Sequence, residues 1–135
     1  MELHHLSFVY FSKLAPDANP SCVADIVKTA RGFNRQHSIT GILVFDGERF
    51  CQYIEGPAQP LQDLIDRIAK DVRHTDFQPK LHAPLEGARR FESWSMGYVL
   101  LDDLSEATPL DVLQERTGAQ MIEHLQSLVP MLDAV

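Results

Sequence analysis

Two apolar runs between Ile39 and Ile54, parted by Asp46-Gly47, constrain this chain more than any other feature. Asp-Gly supplies the positive φ angles that a two-residue type I′ hairpin turn requires. With a loop of only those two residues, Phe45 faces Glu48, Leu43 faces Phe50 and Gly41 faces Gln52. Gly41 would then leave open space beside the glutamine, where a flat ligand could approach the sheet. The opposite face of the hairpin carries Ile42, Val44, Cys51 and Tyr53, so a sheet built on it must be covered on both sides.

Leu3 to Leu14 reads as a strand, with Leu6, Phe8, Tyr10 and Ser12 on one face and Val9 and Phe11 on the other. The loop Ala15 to Ser21 offers Asn19 or Ser21 as a helix cap. From about Ser21 to Gln36, Val23, Ile26, Val27, Ala30, Phe33 and Asn34 recur at helical spacing, which puts Asn34 on or near the buried stripe. Gly56-Pro57 breaks the hairpin's second strand, and Leu61, Leu64, Ile65, Ile68 and Val72 mark a second amphipathic helix. Further strands fall within Phe77 to Leu85 and within Phe91 to Leu101.

The order βαββαββ predicts an α+β fold of ferredoxin-like type, a mixed five-stranded sheet. Right-handed crossovers then set both helices on one face. C-terminal helices cover the other, where Met121, Ile122, Leu125, Leu128, Val129 and Leu132 form a stripe that Pro130 disturbs. Residues 1–101 make the sheet domain on this reading and 102–135 a helical cap or output segment.

A chain of 135 residues is one domain large enough for a core without metal or disulfide staples. Its net charge of −7, with 12 Lys plus Arg and no dense basic cluster, argues against a nucleic-acid surface. Met-Glu-Leu-His-His has no basic n-region, and no apolar stretch nears the roughly 20 residues that cross a bilayer. Cys22 and Cys51 read as free thiols of a reducing cytoplasm. His4, His5, His74 and His82 lack a recognised ligand spacing, so no metal site is expected.

Against this ordinary background, Gln52 lies within the apolar strand Arg49-Phe-Cys-Gln-Tyr-Ile-Glu55, Tyr10 within the apolar first strand, and Asn34 on the first helix's inner stripe. A buried amide or hydroxyl left unpaired costs roughly 1–3 kcal/mol. Three such groups aimed at one interior point to a polar ligand among them.

Several segments carry a family resemblance over roughly residues 3 to 101: Tyr10-Phe-Ser12, Asn34, Ser38-Ile-Thr-Gly41, Phe50-Cys-Gln-Tyr-Ile-Glu-Gly56, Arg67-Ile-Ala-Lys-Asp-Val-Arg-His74 and Arg90-Phe-Glu-Ser-Trp-Ser-Met-Gly97. Together, and in this order, they resemble the BLUF family of flavin-binding blue-light receptors. The resemblance implies a noncovalent flavin between the two helices, usually FAD, with FMN or riboflavin as alternatives. It implies that Tyr10 donates an electron and proton to the excited flavin. Gln52 would link the phenol to the flavin N5 and O4 edge, and Asn34 would bond the polar ring edge. Ile26 and Ile68 would sandwich the ring. Trp94 and Met96 would be the last-strand pair that exchanges places near Gln52, with Arg67 and Asp71 reaching the flavin's polar tail. A sensor of this kind is not an enzyme; it signals to a downstream protein, and a homo-oligomer is expected. Phe33 departs from the family, which usually has asparagine or histidine there, so a polar contact to the ring is lost.

Plainer readings stand beside these. Tyr10 could bond a backbone carbonyl, Trp94 and Met96 could be ordinary packing, and Arg67 and Asp71 could form an i,i+4 pair on a solvated face. Arg89-Arg90 reads as surface. A flavin-free interaction module is one alternative function. An acylphosphatase-like hydrolase is another, although its anion loop would need glycine and arginine where this chain has Ala15-Pro-Asp-Ala-Asn-Pro-Ser21. Helix 118–129 carries more apolar residues than one sheet face needs, so its spare side is expected to meet a second copy or a partner, or else the helix merely caps the sheet.

Overall fold

The period-2 alternation of the first strand is realised in β1, His5–Leu14, which is followed by α1, Cys22–Gln36, β2, Thr40–Phe45, and β3, Arg49–Pro57. Then come α2, Ala58–Ala69, β4, His74–Pro84, β5, Gly97–Leu100, the short α3, Leu110–Leu113, and α4, Gly118–Ser127. The computed structural model describes residues 5–85, 87–91, 96–101 and 109–128. Leu3, His4, Trp94, Val129, Pro130 and Leu132 therefore lie outside the described residues.

The five strands form one sheet in the order β4-β1-β3-β2-β5, antiparallel except for β2 and β5. This is the expected α+β, ferredoxin-like arrangement. Side-chain alternation splits the sheet into two cores. Phe8, Tyr10, Leu43, Phe45, Phe50 and Ile54 meet α1 and α2 through Val23, Val27, Leu61, Leu64 and Ile65. Val9, Phe11, Ile42, Val44, Cys51 and Tyr53 meet the C-terminal helices through Leu110, Leu113, Met121, Ile122, Leu125 and Leu128. Cys22 and Cys51 are free thiols.

Four local expectations are corrected. The hairpin turn centres on Gly47-Glu48, because the Asp46 side chain accepts from the Glu48 and Arg49 backbone N–H groups and only Gly47 takes a positive φ, 96°. Phe45 thus pairs with Phe50, Leu43 with Gln52 and Gly41 with Ile54. The shift is two residues, so every side chain keeps its face while its neighbours change. Gly41 offers no ligand space: a Cβ there would collide with the Tyr53 carbonyl oxygen, so the glycine serves close backbone approach.

At the helix ends, Ser21 occupies the N-cap of α1 without a side-chain bond, and Asn19, two residues before it, accepts from the Ser21 N–H through its Oδ1. Helix α2 ends at Ala69, so Val72 is not on its stripe and stands 85 % exposed, while His74 opens β4. Of the two readings left open for helix α4, the capping one fits the described residues, because Met121, Ile122, Leu125 and Leu128 all turn inward against the sheet. A capping box of Thr117 and Gln120 starts this helix, a signal the sequence reading passed over.

Candidate functional site

The helix-side core does not fill its space. Between α1 and α2, over β1, β2 and β3, lies a cleft of about 450 Å³. Ile26 and Ala30 line it from α1 and Leu64 and Ile68 from α2, while Tyr10, Leu43, Phe50 and Gln52 form its floor. Apolar side walls with a few polar groups at the base are the usual make-up of a small-molecule site.

On that floor β1 and β3 pair Tyr10 directly with Gln52. The Tyr10 hydroxyl donates to Gln52 Oε1 at 2.5 Å, and both residues are 5 % exposed. Burial pushes the Tyr10 phenol far above its ordinary range, with Cys51 and Asp71 adding in the same direction, so it stays protonated. Gln52 Nε2 donates to Met96 Sδ at 3.6 Å, a weak acceptor that leaves most of the amide's bonding capacity unspent. Met96 itself is buried just ahead of β5 rather than within it.

Asn34 is fully buried and continues the Ile26 and Ala30 stripe one turn further along α1, beyond the residues that line the cleft. At the mouth, Arg67 lies over the Phe33 ring at 4.9 Å from its centroid, which gives the departed position a role as a cation–π platform. Arg67 and Asp71 do not pair. Arg73 instead holds Asp71 through a 2.7 Å contact between its Nη2 and Asp71 Oδ2, and that hydrogen bond holds the Asp71 carboxyl below its usual range. Lys70 and Arg73 join them at the mouth, beyond the Arg67 and Asp71 that the resemblance implies. His74 closes the wall, its Nε2 2.6 Å from the Ile68 carbonyl oxygen and its Nδ1 2.8 Å from Ser12 Oγ.

Sequence reasoning also missed Glu55. It is fully buried and accepts from the Tyr53 hydroxyl, the Thr40 hydroxyl and the backbone N–H groups of Arg90 and Phe91. Arg89 donates to Thr40 Oγ1 at 3.3 Å, so this arginine braces the same network instead of standing idle at the surface. A charge inside a strand was the available signal, since a buried carboxylate persists only with several donors.

A family model described as sensors of blue-light using FAD, BLUF, matches residues 5–97. This chain belongs to the BLUF family. It is 31% identical over 125 residues to the photoactivated adenylate cyclase subunit beta of Euglena gracilis, covering 92% of this chain and 14% of that one. It is 34% identical over 110 residues to the blue light- and temperature-regulated antirepressor BluF of Escherichia coli (strain K12), covering 80% and 26%. The solved BLUF protein BlrB, in its dark state, superposes with a TM-score of 0.80 at 27% identity over 97% of this chain and 98% of that one. The matched region is thus a flavin-binding blue-light sensor, of a family that relays its signal to partners. The chain spans about a seventh of the cyclases it matches. No helix among the described residues is long and apolar enough to cross a membrane.

Proposed function

We propose that this BLUF chain converts blue light into a rearranged hydrogen-bond network centred on Gln52, with FAD as the flavin. The observation that carries the reading is the Tyr10 to Gln52 bond on the floor of an apolar-walled cleft. The fit is supported by the walls, which suit a flat ring between Ile26 and Ile68, and by the cations Arg67, Lys70 and Arg73 at the mouth, which suit a phosphate-bearing tail. Asn34 is assigned to the polar ring edge at the inner end of the same helix face.

A bound flavin supplies blue-light absorption and, once excited, an acceptor for one electron and one proton. Tyr10 is the oxidisable donor: its neutral phenol holds the proton on Oη, aimed at Gln52 Oε1. Gln52 is the relay. An amide that turns or tautomerises exchanges donor for acceptor without a change of net charge, and among the described residues only the weak Met96 Sδ contact opposes this on the Nε2 side. States that differ by a few kcal/mol interconvert thermally, as a reversible switch needs. Met96 and the segment before β5, with Trp94, would carry the change toward residues 102–135 and a downstream protein. Two free cysteines support residence in a reducing cytoplasm.

The test is an absorption spectrum of the purified yellow protein before and after blue light, with the extracted flavin identified by mass. A small, reversible red shift with FAD is expected. Bleaching of the visible band through a flavin–thiol adduct would sink the mechanism, since Cys51 faces the opposite core from Gln52.

A further inference from the structure

A second depression, of about 520 Å³, lies on the far side of α1 from the cleft. Its basic lining is Lys28, Arg31 and Arg35, which share one face of α1 at i, i+3 and i+7 and span about 10 Å. Val27, Gly32 and Tyr98 supply an apolar floor. Lys28 and Arg35 are exposed, and no ion pair among the described residues engages any of the three cations. In a chain of net charge −7 such a one-signed stripe is locally out of character. Beside it, β5 is an edge strand whose Leu100 stands 57 % exposed on the same side of the sheet as Tyr98.

Arg31 gives this groove a connection to the interior. Its Nε donates to the Met96 carbonyl oxygen at 3.0 Å, while its Nη2 is shielded from solvent without an acceptor among the described residues. Met96 is the residue whose sulfur takes the Gln52 amide bond. Three contacts therefore run from Tyr10 through Gln52 and Met96 to the guanidinium in the groove.

We propose that the groove between α1 and β5 docks an acidic helical segment of a partner protein, and that Arg31 couples this docking through Met96 to the state of Gln52. Carboxylates on the segment would meet Lys28, Arg35 and the groove-lining part of Arg31. Apolar side chains between those carboxylates would cover Val27, Tyr98 and Leu100. An open backbone at Gly32, where a Cβ would meet nothing within 4 Å, lets the segment lie close along α1. The light dependence rests on the proposed switch; the docking does not.

The probe is a synthetic helix with three glutamates at i, i+3 and i+7 and leucines between them, labelled with a red-absorbing dye excited where the flavin does not absorb and titrated by anisotropy with the full flavin-loaded chain. A matching helix with lysines is the control. The acidic helix is expected to bind, the lysine helix not, and added salt to weaken the complex. Lys28→Glu with Arg35→Glu should lower affinity about tenfold or more while the light-induced absorption shift stays normal. Gly32→Leu should block the groove in a well-folded protein, because leucine is the better helix former. Blue light should change the wild-type affinity about fivefold or more. Equal binding of the acidic helix to wild type and these variants overturns the inference. So does preferential binding of anionic vesicles, or a concentration-dependent dimer that Lys28→Glu dissolves. A normal absorption shift with unchanged affinity refutes the coupling and leaves the photoreceptor reading intact. No absorption shift at all refutes that reading, while dark-state titration still reports on the groove.

Discussion

The same strands present two faces that are built to opposite ends. On the cap face, Ile42, Val44, Cys51 and Tyr53 are completely buried under α3 and α4, and the buried carboxylate of Glu55 at the end of that face has four donors. On the helix face a cleft of about 450 Å³ stays open, and among the described residues the buried amide of Gln52 has one strong partner and one weak one. A fully satisfied polar group holds one arrangement, whereas an under-bonded one can trade partners at small cost. The cap face is a stabilising structure, and the helix face is where a change of state can be stored.

The comparison is broken most directly at Tyr10 and Gln52. Tyr10→Phe and Gln52→Leu should each keep the flavin and the fold but abolish the red-shifted state altogether, read as the light-minus-dark difference spectrum. Normal photocycling in Tyr10→Phe would leave the helix face without its assigned switch. On the cap face the expectation is reversed. Leu125→Ala removes a completely buried side chain and should cost about 2–5 kcal/mol in urea unfolding, while the protein that remains folded shows an ordinary red shift.

Glu55→Gln sharpens the contrast at smaller scale. A carboxamide would turn one N–H toward donors that need an acceptor, costing about 1–3 kcal/mol by thermal or chemical denaturation, with the flavin spectrum retained. The smallest effect concerns pH. Burial, then the nearby Arg116, lowers the His124 imidazole below its ordinary 6.5, so the folded chain favours its neutral form. That contribution is complete above pH 6.5 and is lost as pH falls through the lower folded value. The melting temperature should therefore decline slightly on acidification below 6.5, and His124→Gln should flatten that slope.

The division of residues between the two faces was legible in the sequence because strand alternation is local. Parity put Tyr10 on one face of the first strand and Gln52 on the face of the hairpin opposite Cys51, the family resemblance implied their partnership, and parity survived even though the hairpin register moved by two residues. That register was hidden. It was decided by the Asp46 carboxylate capturing the Glu48 and Arg49 N–H groups in place of the two-residue turn that Asp-Gly suggests. Val72 was misassigned because a helical stripe read from spacing cannot tell where α2 stops, and the helix ends before reaching it.

What the sequence by itself determined was the element order, the two apolar faces and the presence of buried polar groups at Tyr10, Asn34 and Gln52, all carried by short-range pattern and residue type. Only the tertiary structure decided which groups complete the site and which brace it. Glu55 finds its donors on β2, on β3 and in the backbone before β5, and backbone N–H groups carry no signature in a sequence. Phe33 meets Arg67 across two helices, and Arg31 meets the Met96 carbonyl across the edge of the sheet. Such contacts join residues far apart in the chain, and their existence depends on how the helices pack over the strands.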